Sequence, residues 1–508
     1  MSSCAAVRGM VQAVACAVVR EVVRKMARVP LRVVACGGAA ALLLAAGVAS
    51  AVIPAPQVMR LSHTSERPRE VEGAYVLRLR RAADGAPLWS VEARDAAGRF
   101  YAEVTRRQLT REYGEGLPEV LEVVDFPRLP WRGLHLDVSR HWFSVEEVKV
   151  LLDRMAALKL NRLHLHLTDG PGWRFEVRAY PRLTEVGAWR RDAQSPEWDW
   201  ASTRLGKDFS VVYGGYYTQA DLRDLVAHAR QRHIVIVPEV DVPGHSYAAM
   251  FCYPELLAPP DFEPYGRALR GGDALDVRRP EVWCFVCAVM EELMEVFPEG
   301  TPIHVGGDEV QGISRAEQRA WMQRLVDFLR ARGREVIAWD EAAMNGVRGQ
   351  TVMLWHADQL DGVGRYGLPV ILTPTSHCYF DFRQSASETE PLAMGSRVIA
   401  LRDVFGFVVP DDPLVVGLQG NLWTEYIRGL DHLLYMAFPR AAALAERAWG
   451  SPVRAFEAFE ADLARHPEFV APRFTRAQQR EVAETVRSIQ PEEMAEYVRR
   501  QCEAQRRR

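Results

Sequence analysis

The chain has 508 residues, which is too long for one ordinary domain and long enough for a barrel of about 250 residues with additions. Hydrophobic residues make up 48% and charged residues 25%, a balance typical of folded globular proteins rather than disordered ones. The formal net charge of -3 argues against nucleic acid or an anionic membrane as the main partner.

The N-terminal segment has the pattern of an export signal. An apolar run from Val33 to Ile53 follows a basic stretch, and Ala49-Ser50-Ala51 forms an A-x-A cleavage site. We therefore expect residues 1–55 to be a cleaved signal. The alternative is an uncleaved membrane anchor, because the run over residues 33–53 is long enough to span a bilayer. Both interpretations place the body of the protein in the periplasm or outside the cell.

Two kinds of pattern follow along the chain. Residues 56–126 contain short alternating runs such as Tyr75–Arg80 and one helix near Gly98–Leu109, which predicts a small α+β accessory domain. From Trp131 onward, short apolar runs alternate with amphipathic helical stretches, which predicts a parallel sheet built from βα units. Residues 451–508 are rich in Glu and Arg and predict a charged, helical C-terminal extension.

Eight apolar runs within residues 127–450 predict the strands of a TIM (β/α)8 barrel. The runs are Gly133–Val138, Arg162–Leu167, Ile234–Glu239, Ile303–Val305, Glu335–Ala338, Thr351–Leu354, Val370–Thr373 and Val415–Leu418. Because active sites of such barrels lie at the C-terminal ends of the strands, functional residues should follow each run.

Polar or aromatic residues do follow every run. In strand order they are Asp137 and Arg140; His166 and Asp169; Glu239, Asp241 and His245; Asp308 and Glu309; Trp339, Asp340 and Glu341; Trp355; Tyr379 and Asp381; Trp423 and Glu425. A single such residue usually caps a strand, but the same placement after all eight strands predicts a functional site at this end of the barrel.

The adjacent carboxyls Asp308 and Glu309 follow two glycines. Gly306 and Gly307 free the backbone from strand geometry, so both carboxyls can turn into one pocket instead of facing opposite ways. Two neighbouring carboxyls do not ionise easily together, so we expect one pKa to be raised. A carboxyl with a raised pKa is suited to general acid catalysis near neutral pH.

The cysteines do not form a disulfide pattern. Cys284 and Cys287 form a CxxC inside an apolar helical stretch, so we expect two buried thiols rather than a redox pair. A second CxxC, which a zinc site would need, does not occur in the sequence. We therefore expect neither a metal nor a cofactor.

From about Gly98 to Trp449, the sequence resembles glycoside hydrolase family 20, the β-N-acetylhexosaminidases. The motifs that carry the resemblance occur in the family's order. They are Phe126–His141, His166–Asp169 with Gly172–Arg174, Pro238–His245, His304–Val310, Trp339–Glu341, Leu422–Glu425, Phe438–Arg440 and Ala443–Glu446.

The resemblance implies an exo-acting, retaining and substrate-assisted hydrolase of terminal N-acetylglucosamine or N-acetylgalactosamine on an oligosaccharide or glycoconjugate. Glu309 would be the general acid, and Asp308 would hold the acetamido N–H. Tyr379 would bind the acetamido oxygen. Asp169 and His245 would form a supporting dyad. The other implied substrate-binding residues are Trp339, Trp355 and Trp423 around the acetamido group, and Arg132, Asp381 and Glu425 on the sugar hydroxyls.

Three positions depart from the family's pattern. Leu165 stands where the second strand of the family commonly has Trp. Gly170 replaces a second Asp after Asp169, and Met394 stands where an outer Trp usually stacks the leaving-group sugar. The last two departures concern the site for the leaving group rather than the chemistry.

Three alternatives stay open at this point. The first is a disaccharide-releasing relative of the same family. The second is a metal-dependent barrel hydrolase built on His164-x-His166, since alternate strand residues share a face. The third is a catalytically silent glycan-binding barrel, against which the presence of both Asp308 and Glu309 argues.

Overall fold

A computed structural model of the protein describes residues 52–191, 212–262, 273–470 and 473–479. Its centre is a closed barrel of eight parallel strands, which confirms the predicted TIM barrel. The strands are β5 (Trp131–Asp137), β6 (Arg162–His166), β11 (Val235–Glu239), β12 (Ile303–His304), β13 (Val336–Trp339), β14 (Thr351–Leu354), β15 (Val370–Leu372) and β16 (Val415–Leu422).

The barrel closes because β16 pairs in parallel with β5 along six positions, from Gly417 opposite Trp131 to Leu422 opposite Leu136. Each predicted apolar run contains an observed strand or overlaps at least half of it. The match follows from burial on both faces, which makes parallel strands nearly continuous apolar runs that stand out in a sequence.

Helices cover the outside of the barrel. They are α2 (Val145–Ala157), α3 (Arg182–Glu185), α4 (Gln219–Arg230), α5 (Tyr247–Cys252), α6 (Pro254–Leu257), α7 (Pro280–Val296), α8 (Arg315–Arg330), α9 (Asp340–Met344), α10 (Leu401–Gly406), α11 (Leu430–Ala437) and α12 (Arg440–Trp449), with a 3-10 segment over Ala357–Tyr366. Capping boxes begin three of the long helices, at Ser144, Thr218 and Ser314. Short strand pairs, β7 (Thr168–Asp169) with β8 (Gly172–Trp173) and β9 (Trp189–Arg191) with β10 (Val212–Gly214), lie in the loops after β6.

A small antiparallel sheet precedes the barrel in the chain. Its four strands, in the order β1-β4-β2-β3, are β1 (Val58–Arg60), β4 (Val120–Asp125), β2 (Tyr75–Arg81) and β3 (Pro87–Ala93). Helix α1 (Ala96–Tyr113) packs on this sheet through Tyr101, Ala102 and Leu109, and a 3-10 turn over Gly114–Gly116 follows it. This arrangement is the α+β unit expected from the alternating runs.

The C-terminal extension begins with helix α13 (Phe456–Leu463) and a 3-10 turn over Pro467–Phe469. Phe459 and Phe469 are fully buried against the barrel core. Part of the predicted helical extension is therefore packed rather than solvated. The remainder, residues 480–508, lies outside the described residues.

The boundary predicted for the export segment is wrong by four residues. Val52 and Ile53 are fully buried, and the backbone N–H of Ile53 donates to Gln108 of α1 at 2.8 Å. The N–H of Ala55 donates to Glu446 of α12 at 3.1 Å. Residues 52–55 thus belong to the folded body, because apolar side chains suit a protein core as well as a membrane. The rest of the apolar run lies outside the described residues.

Among the described residues, no helix combines the length and the apolar character needed to cross a bilayer.

The prediction of two buried thiols is also wrong. Cys284 is exposed and Cys287 is half-buried on α7. The stripe that faces the core consists of Val282, Phe285, Val286, Val289, Met290 and Leu293. Because α7 is apolar on nearly every side, hydrophobic spacing alone did not identify its buried face.

Candidate active site

The predicted pair of carboxyls lies on a short strap, Gly306–Glu309, that leaves β12 at the C-terminal mouth of the barrel. Gly306 and Gly307 adopt φ values of 68° and 94°. A Cβ at position 306 would lie 1.7 Å from Oδ1 of Asp241, so only glycine fits there. The strap turns both carboxyls toward His245, whose Nε2 lies 3.8 Å from Asp308 Oδ2 and 3.6 Å from Glu309 Oε2.

The two carboxyls differ in environment. The side chain of Asp308 is 12% exposed and that of Glu309 is 60% exposed. Burial raises the pKa of Asp308 to about 6, while the charge of His245 opposes the shift and those of Glu239 and Glu309 add to it. One pKa of the pair is raised, as expected, but it is that of Asp308, the residue expected to hold the acetamido N–H, and its main cause is burial rather than repulsion within the pair.

His245 connects the pair to a buried carboxylate. Its Nδ1 lies 3.3 Å from Oδ2 of Asp169, so the structure brings together the dyad expected from the sequence. Burial lowers the pKa of His245, but Asp169 and Asp241 outweigh that effect and raise it well above its ordinary value. The buried carboxylates therefore favour the protonated form of the imidazole, which faces both carboxyls of the strap.

Arg140, and not Arg132, is the arginine at this mouth. Arg140 Nη2 lies 2.7 Å from Oδ2 of Asp169, and Nη1 lies 3.3 Å from Oδ2 of Asp137. Its guanidinium also lies 5.0 Å from the ring centroid of Trp423. The arginine is thus placed beside an aromatic side chain of the mouth and fixed by two buried carboxylates.

The assignment of Arg132 to the substrate is wrong. Arg132 is the second residue of β5, at the N-terminal end of the barrel, and its guanidinium donates to Leu129 O at 2.9 Å, Lys159 O at 3.0 Å and Tyr101 Oη at 2.9 Å. All of these partners lie at the closed bottom of the barrel. The strand-end rule already indicated the correct residue, because Arg140 follows β5 whereas Arg132 begins it.

Four aromatic side chains gather at the mouth, as predicted. Trp339 and Trp423 have ring centroids 5.9 Å apart, and Tyr379 lies 6.4 Å from Trp423 and 6.5 Å from Trp355. Trp339 is only 1% exposed and donates through Nε1 to Glu239 at 3.0 Å, so it forms the floor. The other three rings are half-buried and form walls. Such apolar walls with few polar partners suit a small methyl-bearing group.

Asp381 and Glu425 lie on the other side of the mouth. Burial raises the pKa of Glu425 to about 7, although Arg140 opposes the shift. Burial, followed by the charge of Glu425, raises the pKa of Asp381 well above its ordinary range. One carboxyl oxygen of each residue makes no hydrogen bond to any described residue. Both can therefore accept hydrogen bonds from the hydroxyls of a ligand.

Four buried histidines surround Glu239 beneath the floor. His164 Nε2 lies 3.0 Å from Glu239 Oε2, His304 Nδ1 lies 2.7 Å from Oε1, and His166 Nδ1 contacts Oε2 directly. His135 lies 4.9 Å from His164 between ring centroids. Two triads here, His164–Glu239–His304 and His135–His166–Glu239, have ligand atoms close enough to hold a metal.

Those triads do not support the metal-dependent alternative. All five side chains are fully buried beneath Trp339, so an ion held there would have no contact with a substrate at the mouth. The groups already hydrogen-bond to one another, and Glu239 also accepts the indole N–H of Trp339. A further group, Asp241, His245 and Asp308, lies at the mouth itself and coincides with the strap and its dyad.

Of the three departures from the family pattern, Leu165 is fully buried within β6, whereas Gly170 and Met394 lie in loops. Gly170 follows Asp169 directly and donates its backbone N–H to Oδ1 of that residue at 2.5 Å. Met394 is half-buried and donates its backbone N–H to Asp381 O at 3.0 Å. Met394 therefore lies on a loop tied to the segment that carries Asp381.

Sequence reasoning missed the roles of Asp241 and Glu341. Asp241 accepts the N–H of Gly307 at 3.2 Å, and Glu341 accepts the N–H of Glu309 at 3.3 Å. Both residues follow barrel strands and were therefore visible to the strand-end rule. Their contacts with the strap depend on the fold and cannot be read from spacing.

A closed parallel barrel with paired carboxyls and aromatic walls at its C-terminal mouth is the arrangement of a glycoside hydrolase. Residues 129–452 match the model of glycosyl hydrolase family 20, catalytic domain, and the chain belongs to this family.

Relatives with assigned names agree with this classification. The chain is 33% identical to a β-hexosaminidase of Akkermansia muciniphila, over 74% of this chain and 80% of that protein. It is also 33% identical to a β-N-acetylhexosaminidase of Cellulomonas fimi, over 82% of both chains. Among solved structures, the family 20 exo-β-N-acetylglucosaminidase of Vibrio harveyi in complex with N-acetylglucosamine matches with a TM-score of 0.69 and 27% identity, over 83% of this chain and 77% of that one.

Proposed function

We propose that the protein is an exo-acting, retaining β-N-acetylhexosaminidase. It removes a terminal N-acetylglucosamine or N-acetylgalactosamine from an oligosaccharide or glycoconjugate. The observation that carries the proposal is the contrast within the strap, where a buried carboxyl, Asp308, lies beside an exposed one, Glu309, and both face His245.

In the proposed reaction, Glu309 donates a proton to the glycosidic oxygen. The acetamido oxygen of the substrate attacks C1 as the C1–O bond breaks, which forms an oxazolinium ion. The carboxylate of Asp308 accepts the acetamido N–H and stabilises the positive charge that develops there. Glu309 then removes a proton from water, whose oxygen attacks C1 as the bond between C1 and the acetamido oxygen breaks, which regenerates the acetamido group and restores the original configuration.

The remaining side chains of the mouth have binding roles in this proposal. Tyr379 donates to the acetamido oxygen, and the walls of Trp355 and Trp423 enclose the acetamido methyl above the Trp339 floor. Arg140, Asp381 and Glu425 bind hydroxyls of the same sugar. Hydrogen-bonding all around one ring fits a single terminal residue, which supports exo action over release of a disaccharide.

The test uses Glu309→Gln and Asp308→Asn with aryl glycosides of N-acetylglucosamine and N-acetylgalactosamine. We expect each variant to lose about 100-fold or more in kcat, the scale of a lost acid or a lost electrostatic group. A second test uses the unmodified enzyme with substrates whose acetamido methyl carries one, two or three fluorine atoms. The rate should fall with each fluorine, because fluorine lowers the nucleophilicity of the attacking acetamido oxygen. Rates that do not change with fluorination, or near-normal turnover by both variants, would refute the mechanism. Product analysis on a defined glycan separates release of one sugar from release of two.

We also propose that the body is exported after cleavage behind Ala51. The A-x-A pattern supports this site, as does the position of Val52 inside the folded body. N-terminal sequencing of the protein recovered outside the cytoplasm should begin at Val52. Recovery of the uncut chain from membranes would support the anchor instead.

A further inference from the structure

The strap holds Glu309 in an unusual backbone conformation. Its φ of 47° lies in the left-handed region, which a residue with a Cβ rarely adopts. Such a conformation persists only where the surroundings enforce it. The position of the Glu309 carboxyl therefore depends on what fixes the backbone of the strap.

Three side chains fix it. Asp241 accepts the N–H of Gly307 at 3.2 Å, and Gln318 Nε2 donates to Gly307 O at 2.9 Å. The third is Glu341, whose two carboxyl oxygens both lie 3.3 Å from the N–H of Glu309. Of these three side chains, Glu341 is the one that contacts Glu309 itself.

Glu341 is itself well anchored. It follows Trp339, the floor of the mouth, by two residues and lies in the first turn of α9. One turn later, Asn345 donates its backbone N–H to Glu341 O at 2.8 Å and its side-chain amide to Gln318 at 2.9 Å. The helix therefore ties two of the three strap contacts together.

Glu341 also shares a polar cavity with the acid. The cavity has a volume of about 530 Å³, and its lining includes Glu309, Gln311, Glu341, Asn345 and His356. The carboxyl of Glu341 reaches solvent through this cavity, so it can exchange protons during turnover.

We propose that Glu341 is a positioning residue for acid catalysis, whose carboxylate holds the backbone of Glu309 so that the acid faces the leaving oxygen. This role rests on the proposed function, in which Glu309 is the proton donor. Glu341 does not touch the substrate in this proposal and acts only through Glu309.

The charged groups around Glu341 give the role a pH dependence. Burial, and then the charge of Asp308, raises the pKa of Glu341 to about 7; Asp340 adds to the shift, while the Glu309 N–H and His356 oppose it. Glu309 and Arg315 also line the shared cavity. An ionised carboxylate is the stronger acceptor for an N–H, so the contact weakens as pH falls through about 7.

The test compares leaving groups that need acid catalysis to different degrees. A dinitrophenyl glycoside departs almost without a proton, whereas a phenyl glycoside or a disaccharide requires one. We expect Glu341→Ala to lower kcat/KM, which reports only the step in which the leaving group departs, about 100-fold on the phenyl glycoside and less than about tenfold on the dinitrophenyl glycoside. Glu341→Gln keeps an oxygen acceptor and should recover much of the loss. In the pH profile of kcat/KM, the acidic limb of Glu341→Gln should lie at lower pH than that of the unmodified enzyme. The ionisation of Glu341 is then absent, and the ionisation of Asp308 alone determines that limb.

Two controls make the result decisive. Glu299→Gln changes an exposed glutamate far from the mouth and should leave every rate unchanged. Glu309→Gln, measured in parallel, must show the same dependence on the leaving group; if it does not, the proposed function fails rather than the role of Glu341. Equal losses by Glu341→Ala on both glycosides, or a Glu341→Gln profile that matches the unmodified enzyme, would overturn the role of Glu341.

Discussion

The two ends of the barrel both bury charged side chains, but they satisfy them differently. At the N-terminal end, Asp125 accepts hydrogen bonds from Tyr75, Lys159 and Trp449 at 2.6, 2.9 and 2.7 Å. At the C-terminal mouth, Asp308, Asp381 and Glu425 each keep one buried oxygen without a partner among the described residues. Buried polar groups are normally paired, and three unpaired carboxyl oxygens gathered at one mouth suit the hydrogen bonds of a ligand.

The comparison separates stability from function. Charges at the bottom join the accessory sheet to the barrel, and removing one partner should lower the free energy of unfolding without changing the site. Buried charges at the mouth lower the free energy of unfolding of the ligand-free protein. Removing one of them should therefore impair turnover and leave the fold as stable as before or more stable. Three predictions test this division.

The largest expected effect on stability is that of Lys159→Met. Lys159 and Asp125 are both fully buried with Nζ 2.9 Å from Oδ2, so the variant leaves a buried carboxylate without its cation. We expect a loss of about 3–5 kcal/mol in the free energy of unfolding, measured by urea denaturation. The kcat/KM of the folded fraction should be unchanged. A variant that is stable but slow would contradict the division.

The pair Arg140→Lys and Arg132→Lys tests which arginine binds substrate. Lysine keeps the charge but loses the planar fork that contacts two groups at once. We expect Arg140→Lys to lower kcat/KM about 30- to 100-fold with little change in unfolding, since its fork lies at the mouth. Arg132→Lys should instead cost about 1–3 kcal/mol of stability through lost hydrogen bonds, with normal kinetics. The reverse pattern would restore the original assignment of Arg132.

The smallest effect concerns stability at the mouth. The pKa of Asp308 rises on folding from 3.8 to about 6, so the folded state binds this proton more tightly than the unfolded state. Ionisation therefore destabilises the fold as pH rises from about 4 to 6. Asp308→Asn should be about 1–3 kcal/mol more stable than the parent at pH 7, and the difference should vanish below pH 4. Denaturation curves at pH 7 and below pH 4 measure this difference. An Asp308→Asn variant that is less stable than the parent at pH 7 would contradict a destabilising ionisation of the buried Asp308.

Much of the fold was predictable because parallel barrel strands are buried on both faces. Apolar runs located all eight strands, and the rule that function follows strand ends found Asp308, Tyr379 and Trp423. The same rule favoured Arg140, but the motif resemblance led to Arg132, which shows that strand position is the more direct guide.

The remaining errors have physical causes. Burial within α7 was not predictable, because nearly every face of that helix is apolar and Cys284 could have faced either way. The contact from Glu341 to Glu309 joins residues 32 positions apart across two strand ends. No local pattern encodes such a contact, because it depends on the parallel pairing of β12 with β13.

Under the proposed cleavage behind Ala51, the buried segment Val52–Ala55 constrains the order of events during export. It lies between α1 and α12, bonded to Gln108 and Glu446, one residue beyond the proposed cleavage site. A peptidase needs its substrate extended, so it must cut before this segment packs into the body. Cleavage of the leader then competes with the packing of residues 52–55, and a chain that packs this segment before cleavage would keep its leader.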